Sequence, residues 1–290
     1  MSRIAYVDGA YIAHRDAGVH VEDRGFQFSD GVYEVCGVLG GRLLDEAAHL
    51  DRLERSLREL RMAAPVSRSA LRVILREVVR RNRVRDGIVY LQVTRGSAPR
   101  DFVFPSSDVK PTLVATARAH DQAARDRVAE AGRRVILAPD LRWKRRDIKS
   151  VSLLGNVLAK QAARDAGAFE AWQIDDDGFV TEGGSSNAWI VTKAGEIVTR
   201  PATSDILRGV TRQLVLKIAE EEGLAFAERA FTPAEAKDAA EAFMTAATAF
   251  VTPITQIDDA TIGSGAPGPV ATRLRAAYRR RALEMAADGA

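Results

Sequence analysis

The sequence is poor in the residues that mark several protein classes. It has 1 cysteine among 290 residues, which excludes an internal disulfide, and Cys36 is expected to be a small buried apolar residue in a strand. Aromatic residues make up only 6% of the chain and no basic block is present, so a nucleic-acid-binding surface is not expected. The 4 histidines are too scattered for a metal site with recognisable spacing: His14, His20, His49 and His120.

Long apolar runs are also missing. No run approaches the length of a membrane-spanning helix, and residues 1–9 lack the charged-then-apolar pattern of a signal peptide, so we expect a cytoplasmic protein. The net charge is only +3, since 42 Lys and Arg are opposed by 39 Asp and Glu, and the arginines are interleaved with acidic residues instead of forming a basic block. A chain with 46% hydrophobic and 28% charged residues is typical of a soluble globular protein, and its length suffices for two modest domains.

The hydrophobic patterns predict an α+β fold. Residues 4–12 and 32–44 each predict a β-hairpin, turning at Asp8 and Gly9 and at Gly40 and Gly41. Leucines at helical spacing predict a helix over 45–60, and a second helix follows with Ser67 or Ser69 as its cap. The apolar face of this second helix runs from Leu71 to Val79. Strands are predicted at 87–94, 111–117, 134–138, 171–174 and 187–192, and further helices at Lys149, 211–222 and 270–287.

Residues 142–150 (RWKRRDIKS) form the most informative stretch, a cationic run that ends at Lys149 and leads into an apolar-periodic segment. An amine partly desolvated at the foot of a helix and crowded by Lys144, Arg145 and Arg146 is pushed toward its neutral, nucleophilic form. A solvated basic face is the alternative interpretation of these residues.

Residues 181–187 (TEGGSSN) follow an acidic turn and precede an apolar strand. Two glycines and two serines after a carboxylate let the backbone approach a ligand, and Glu182 could face a basic ring nitrogen. An ordinary polar loop is the alternative.

Residues 206–212 (ILRGVTR) lead into a helical pattern, with Gly209 and Thr211 where the helix begins. Unpaired amides at a helix start bind phosphate, although Thr after Gly also starts many helices without a ligand. Residues 245–249 (TAATA) add a second small, hydroxyl-bearing turn suited to oxyanions.

Taken in this order, the motifs resemble the class IV aminotransferase family of fold-type IV pyridoxal-phosphate enzymes, most closely its D-amino-acid transaminase branch. The resemblance covers nearly the whole chain and also rests on residues 22–34 (EDRGFQFSDGVYE), 49–53 (HLDRL) and 92–96 (QVTRG). It implies a two-domain α+β architecture with an α/β sandwich-like N-terminal domain and a C-terminal pseudo-barrel domain. The corresponding boundaries are 1–119 for the first domain, 120–127 for a polar linker, and 128–290 for the domain that carries the cofactor lysine, with the cofactor between the domains.

The resemblance also implies a role for each matching residue. Lys149 would form the internal aldimine with pyridoxal 5′-phosphate and move the proton between the substrate α-carbon and the cofactor C4′, and Glu182 would hold the pyridinium nitrogen. Arg52 would pair with the phosphate, together with the amides of Val210 and Thr211 and the hydroxyl of Thr248. Leu207 would pack on the ring face.

The implied reaction is ping-pong transamination of D-amino acids such as D-alanine and D-glutamate with 2-oxo acids such as pyruvate and 2-oxoglutarate. Tyr33 and Arg100 match two members of the substrate-carboxylate trap. Phe102 and Gly37 stand where the D-specific branch usually has His and Lys, which weakens the trap. Branched-chain L-amino-acid transamination, (R)-amine transamination and aminodeoxychorismate lyase activity therefore stay open.

The resemblance also implies a homodimer, in which Arg100 would reach the site of the neighbouring subunit. Outside the family, the alternative is a catalytically silent cofactor-binding protein. An aldimine-forming lysine argues against this, because simple binding does not require one.

Overall fold

The computed structural model describes residues 3–287, which form two compact units. The first unit comprises residues 3–121, 148–152 and 284–287, and the second comprises 122–147 and 153–283. The segment expected to be a linker contains the start of a helix at Gln122. Lys149 belongs to the first unit, although the sequence placed it with the C-terminal domain.

A six-stranded sheet in the order β2-β1-β6-β5-β3-β4 forms the first unit, and every neighbouring pair is antiparallel. Its strands are β1 (Ile4–Val7), β2 (Ala10–Ala13), β3 (Gly31–Leu39), β4 (Arg42–Leu43), β5 (Gly87–Thr94) and β6 (Thr112–Ala119). Both predicted hairpins are present. Asp8 and Gly9 turn the first one with φ of 42° and 100°, the left-handed backbone that a two-residue hairpin loop requires.

Three α-helices accompany this sheet: α1 (Arg24–Phe28), α2 (Glu46–Glu59) and α3 (Arg68–Arg81), and a short 3-10 helix covers His14–Asp16. Ser67 caps α3, since its side chain accepts a bond from the amide of Ala70, so the first of the two predicted cap positions is the one used. Leu50, Leu53 and Leu57 are buried with apolar residues of α3, β3 and β5 in one core. This amphipathic pattern is why the two long helices pack on one face of the sheet.

The strand β3 presents different residues on its two faces. Val32, Glu34, Cys36 and Val38 are buried, whereas Tyr33 is only half-buried, as expected from the period-two alternation of a strand. The register places Tyr33 directly opposite Gln92 of β5. One strand therefore supplies both a buried carboxylate, on the side of the core, and a partly exposed phenol on the opposite face.

The second unit contains a nine-stranded mixed sheet in the order β12-β11-β10-β13-β14-β7-β8-β9, with β15 paired to β14. Its strands are β7 (Arg133–Pro139), β8 (Glu170–Ile174), β9 (Val180–Gly183), β10 (Asn187–Val191), β11 (Ile197–Thr199), β12 (Phe226–Glu228), β13 (Glu241–Ala246), β14 (Phe250–Ile257) and β15 (Ala260–Thr261). Three neighbouring pairs are parallel, β7 with β8, β7 with β14, and β11 with β12. Large buried aromatic side chains, Trp172 and Phe231, anchor its main core.

The helices that follow the first unit along the chain are α4 (Gln122–Ala131), α5 (Leu154–Asp165), α6 (Val210–Glu221), α7 (Pro233–Lys237) and α8 (Pro269–Ala287). The buried carboxylate of Glu241 on β13 accepts the amide N–H groups of Val270 and Ala271, each at 2.9 Å, and so holds the start of α8 against the sheet. Across residues 3–287, no helix combines the length and apolar character needed to cross a membrane.

Candidate active site

Lys149 lies outside any helix or strand, so its predicted position at the foot of a helix is wrong. Its carbonyl accepts the amide N–H of Tyr33 at 3.0 Å, and its own N–H donates to Ser56 Oγ at 3.3 Å. The next residue, Ser150, forms a bridge with β3, and α5 begins only at Leu154. The backbone of Lys149 is thereby bonded both to a central strand and to α2.

The side chain of Lys149 lies on an aromatic neighbour. Its Nζ is 4.1 Å from the ring centroid of Tyr33, within the range of a cation–π contact. The Tyr33 and Tyr90 rings are 5.7 Å apart, and the Tyr90 hydroxyl donates to Gln92 Oε1 at 2.6 Å. Burial, together with Tyr33, raises the pKa of Tyr90 to about 12, so its hydroxyl keeps its proton at neutral pH.

The sequence predicted that the positive charges of Lys144, Arg145 and Arg146 crowd Lys149, but two of these side chains have acidic partners. Arg145 pairs with Asp147 at 2.9 Å, and Arg146 pairs with Asp140 at 3.2 Å. Two of the three cations expected to crowd Lys149 therefore have carboxylate partners, which offset their charge.

Glu182 lies in β9 and is 4% exposed. The amide N–H of Leu207 donates to both carboxylate oxygens, at 3.1 and 3.2 Å, and Asn187 Nδ2 donates to Oε2 at 2.8 Å. Arg142 Nη1 donates to Oε1. Burial raises the pKa of this carboxyl, and the Arg142 guanidinium and the Leu207 amide act in the opposite direction.

Arg142 is a residue that the sequence analysis missed as part of the site. It also donates to Asp140 at 2.6 Å, so it joins two buried carboxylates into one network. Burial lowers the pKa of Arg142, but Glu182 and Asp140 outweigh it and the pKa is raised. Asp140 is only two residues away, but the contact that places Arg142 in the site is with Glu182, 40 residues further along the chain, and no local pattern predicts it.

The start of α6 has the features of an anion site. Gly209 is the N-cap and provides no side-chain cap, and Val210 and Thr211 in the first turn are buried. Thr211 Oγ1 is buried and has no hydrogen-bond partner within the described part of the chain. A buried, unpaired hydroxyl beside the amides of a helix start suits a phosphate oxygen. Leu207, whose N–H bonds Glu182, precedes this turn.

The second predicted oxyanion turn is only partly as expected. Thr245 lies in β13 and its hydroxyl accepts Trp189 Nε1 at 2.9 Å, so it has a structural partner. Thr248 lies in the turn between β13 and β14, half-buried, and its carbonyl accepts a bond from Arg125.

Arg52 projects from α2 toward β3, where it meets Glu34. Its Nε donates to Glu34 Oε1 at 2.7 Å and its Nη2 donates to Oε2 at 2.8 Å, and the His49 ring adds a bond to Oε2 at 2.8 Å. Burial raises the pKa of Glu34, but Arg52 and His49 outweigh it and hold the pKa at about 2. Neither Glu34 nor His49 was among the site residues predicted from the sequence.

Arg100 lies in the loop between β5 and β6. Its guanidinium carbon is 5.0 Å from the ring centroid of Phe28 and 5.5 Å from that of Phe102, and Phe102 is 79% exposed. Arg24 donates to the Asp101 carbonyl at 2.6 Å and so tethers this loop to α1. Gly37 lies within β3.

The predicted residues thus divide between the two units. The first contains Lys149, Tyr33, Arg52 and Arg100, and the second contains Glu182, Leu207, Val210, Thr211 and Thr248. Within residues 3–287 no group of three or more His, Cys, Asp or Glu side chains is arranged to hold a metal ion.

Residues 31–257 match the family described as amino-transferase class IV. The chain belongs to this family. It is 43% identical to the D-alanine aminotransferase of Bacillus licheniformis, over 97% of each chain. It is 38% identical to the D-alanine aminotransferase of Staphylococcus haemolyticus, over 95% of this chain and 96% of that one.

Among solved structures, the chain superposes on the T.th. branched-chain amino acid aminotransferase with pyridoxamine 5′-phosphate. The TM-score is 0.89 at 26% identity, covering 98% of this chain and 95% of the other. The predicted family and α+β fold are thereby confirmed, and this class IV aminotransferase is a pyridoxal-phosphate enzyme. The residues present fit that group, because the second unit offers the unpaired Thr211 hydroxyl at a helix start and a buried carboxylate at Glu182.

Proposed function

We propose that this class IV aminotransferase transfers the amino group of D-amino acids, such as D-alanine and D-glutamate, to 2-oxo acids, such as pyruvate and 2-oxoglutarate. The observation that carries the substrate class is the 43% identity to a D-alanine aminotransferase over 97% of each chain. The two half-reactions share one site, so substrate and product alternate there.

When bound, pyridoxal phosphate supplies an aldehyde for the amino group and a ring that accepts electrons from the substrate α-carbon. The Lys149 amine would take the proton from the substrate α-carbon and deliver it to C4′ of the cofactor, and would do the reverse in the second half-reaction. Its backbone, bonded to Tyr33 and Ser56, fixes the start of the side chain, and the Tyr33 ring limits where the amine can lie. A positioned base of this kind contributes about 10²- to 10⁴-fold in rate.

Glu182 would hold the ring nitrogen of the bound cofactor and would stabilise a proton there. Its two oxygens are already oriented by Leu207, Asn187 and Arg142, so little reorganisation accompanies the reaction. Arg142 keeps a positive charge beside this carboxylate and limits how strongly it attracts the ring proton.

The groups that would hold the phosphate are the amides of Val210 and Thr211, the Thr211 hydroxyl and Arg52, with the Thr248 hydroxyl as a further donor. The first two residues begin α6, where unpaired N–H groups and the helix dipole favour an anion. Leu207 packs on the face of the ring.

Tyr33 and Arg100 bind the substrate carboxylate. The aromatic contacts of Arg100 with Phe28 and Phe102 orient its guanidinium without neutralising it. Phe102 cannot donate a hydrogen bond to a carboxylate, so Arg100 carries more of this interaction.

A homodimer is part of the proposal. Several large apolar side chains of the first unit are exposed, Val21 at 71%, Phe26 at 75% and Phe102 at 79%. We propose that a second copy of the chain covers these side chains, since large exposed apolar surface is typical of interaction sites. Light scattering of the purified protein tests the dimer, and a monomer at micromolar concentration would contradict it. The cytoplasmic location stays a prediction.

Branched-chain L-amino-acid transamination is the second candidate. It is favoured by the similarity to the T.th. branched-chain enzyme and by Phe102, which adds apolar surface beside Arg100. The hand of the substrate separates the two candidates.

The deciding experiment adds D-alanine, L-alanine, D-glutamate and L-leucine separately to the purified yellow protein, and follows the loss of the cofactor's absorbance band. D-alanine and D-glutamate should bleach the band and pyruvate should restore it. Bleaching by L-leucine alone would favour the second candidate, and a protein that takes up no pyridoxal phosphate would refute both. Lys149→Arg keeps a cation near Tyr33 and should abolish the exchange, while wild-type-like turnover would remove Lys149 from its role.

A further inference from the structure

Glu34 stands out because it is a fully buried carboxylate for which the reaction provides no step. Its side chain is 0% exposed, and it points from β3 into the apolar core that α2 and α3 cover. A carboxylate in such surroundings requires partners, since leaving it unpaired is costly. Its partners are Arg52 and His49, both on α2.

Two hydrogen bonds join the Arg52 guanidinium to the Glu34 carboxylate. Nε and Nη2 donate along one edge of the guanidinium to the two carboxylate oxygens, at 2.7 and 2.8 Å. Parallel bonds of this kind fix both the position and the plane of the guanidinium, which a single bond cannot do. Glu34 therefore determines the direction in which the rest of the Arg52 fork points.

His49 restrains the same carboxylate from a second side. Its ring nitrogen lies 2.8 Å from Glu34 Oε2, and its side chain is 2% exposed. His49, Arg52 and Ser56 share one face of α2, at spacings of three and four residues, so the helix presents them to β3 together. Ser56 accepts the N–H of Lys149, which places the lysine backbone on the same helix face.

We propose that Glu34 is a positioning residue that orients Arg52 for the phosphate of the cofactor, with His49 holding Glu34 in turn. This inference rests on the proposed function, in which Arg52 binds the phosphate. Glu34 need not touch the cofactor; it acts through the guanidinium. The negative charge of Glu34 also offsets part of the attraction between Arg52 and the phosphate. Orientation and charge therefore act in opposite directions, and orientation has the larger effect on binding.

The test compares two ligands that differ only in the phosphate. Dissociation constants of pyridoxal phosphate and of pyridoxal are measured by absorbance for the wild type and for Glu34→Gln. In the variant, the glutamine amide would turn a donor toward the arginine, which breaks the two-point contact. We expect the constant for pyridoxal phosphate to rise about tenfold or more and that for pyridoxal to change little.

Glu54→Gln is the matched control, because it makes the same chemical change on α2 at a more exposed position paired with Arg68. It should leave the ratio of the two constants unchanged. General loosening of the fold would weaken both ligands equally in Glu34→Gln and would overturn the proposal. Tighter binding of pyridoxal phosphate would also overturn it, since charge would then dominate orientation.

Two more measurements keep the proposal testable if Glu34→Gln folds poorly. The double variant E34Q/R52Q removes both buried charges together, which proteins tolerate better than removal of one. If Glu34 acts through Arg52, this variant and Arg52→Gln alone should have the same ratio of constants, and a larger loss in the double variant would show that Glu34 acts by another route. Glu34→Asp, which keeps the charge but shortens the reach, should give an intermediate ratio, and a wild-type ratio would count against positioning.

The phosphorus NMR signal of the bound cofactor gives a readout independent of affinity. We expect it to shift and broaden in Glu34→Gln, and an unchanged signal would contradict the proposal. If the wild type binds neither ligand, the proposed function fails. If the wild type binds pyridoxal phosphate normally and Glu34→Gln keeps the wild-type ratio, only this inference fails.

Discussion

The amide N–H of Leu207 donates to both carboxylate oxygens of Glu182, at 3.1 and 3.2 Å. This bond joins the loop before α6 to β9 and ties the residue proposed to pack on the cofactor ring to the residue proposed to hold its nitrogen. A movement of either residue displaces the other. Arg142 and Asn187 complete the surroundings of the carboxylate, so its position is determined from three sides.

Replacing Glu182 with Gln should slow transamination about 10²- to 10³-fold, the range found when one preorganised electrostatic partner is removed. The amide cannot stabilise a positive ring nitrogen, and Arg142 loses the charge that faces it. Single-turnover kinetics with D-alanine measure the effect, with near-UV circular dichroism as the check that the fold persists. A rate within threefold of the wild type would remove Glu182 from this role.

Gly209→Ala should disturb the same cluster by steric conflict. A Cβ at this position would lie 2.1 Å from Asn187 Oδ1, and Asn187 bonds both Glu182 and the Leu207 carbonyl. We expect a loss of about 1–3 kcal/mol in the free energy of unfolding, as for other overpacked sites, and weaker binding of pyridoxal phosphate. Gly18→Ala is the control, since nothing lies within 4 Å of its added Cβ. Equal urea midpoints for the two variants would contradict the clash.

The Glu34 pair should make stability depend on pH in acid. The pKa of Glu34 is lowered to about 2 from 4.5, so its stabilising contribution is complete above about pH 4.5 and is lost as the pH falls toward 2. The shift corresponds to roughly 3 kcal/mol. Glu34→Gln should therefore be less stable than the wild type at pH 7, and the difference should shrink in acid.

Glu77→Gln is the comparison for that measurement. The pKa of Glu77 is also lowered to about 2, through hydrogen bonds with Arg80 and Arg81, but these partners are on the surface. Water and salt screen such pairs, so its effect should be small and should diminish further at high ionic strength. An equally large effect for both variants, measured by urea unfolding across the pH range, would mean that burial of Glu34 adds nothing.

Glu241 should prove important for the docking of α8. Its carboxylate accepts two amide N–H groups at the helix start, so Glu241→Ala should cost about 1–2 kcal/mol and Glu241→Gln less, because the amide oxygen keeps one acceptor. Glu220→Gln, on the exposed side of α6, should be nearly neutral. Urea midpoints that order the variants differently would contradict this capping role.

Local sequence patterns were sufficient to predict several of the helices and hairpins. The leucine spacing predicted the helix over 45–60, where α2 runs from Glu46 to Glu59, and Asp8 and Gly9 predicted a tight hairpin. Both depend on residues only a few positions apart. A helix was wrongly predicted at Lys149, because the apolar periodicity that follows Lys149 was taken to include it. The helix α5 begins only at Leu154. Hydrogen bonds to Tyr33 and Ser56, both distant in sequence, hold the backbone of Lys149 outside the helix instead.

By itself, the sequence predicted most of the long helices and strands, the family and a set of candidate site residues, because periodicity, turn chemistry and ordered motifs can be recognised along the chain. Tertiary structure alone decided what surrounds those side chains. Glu34 and Arg52 are 18 residues apart, and Arg142 and Glu182 are 40 apart. Residues so far apart in sequence become neighbours only when strands and helices pack. Burial then strengthens the interaction between their charges and fixes the orientation of the side chains.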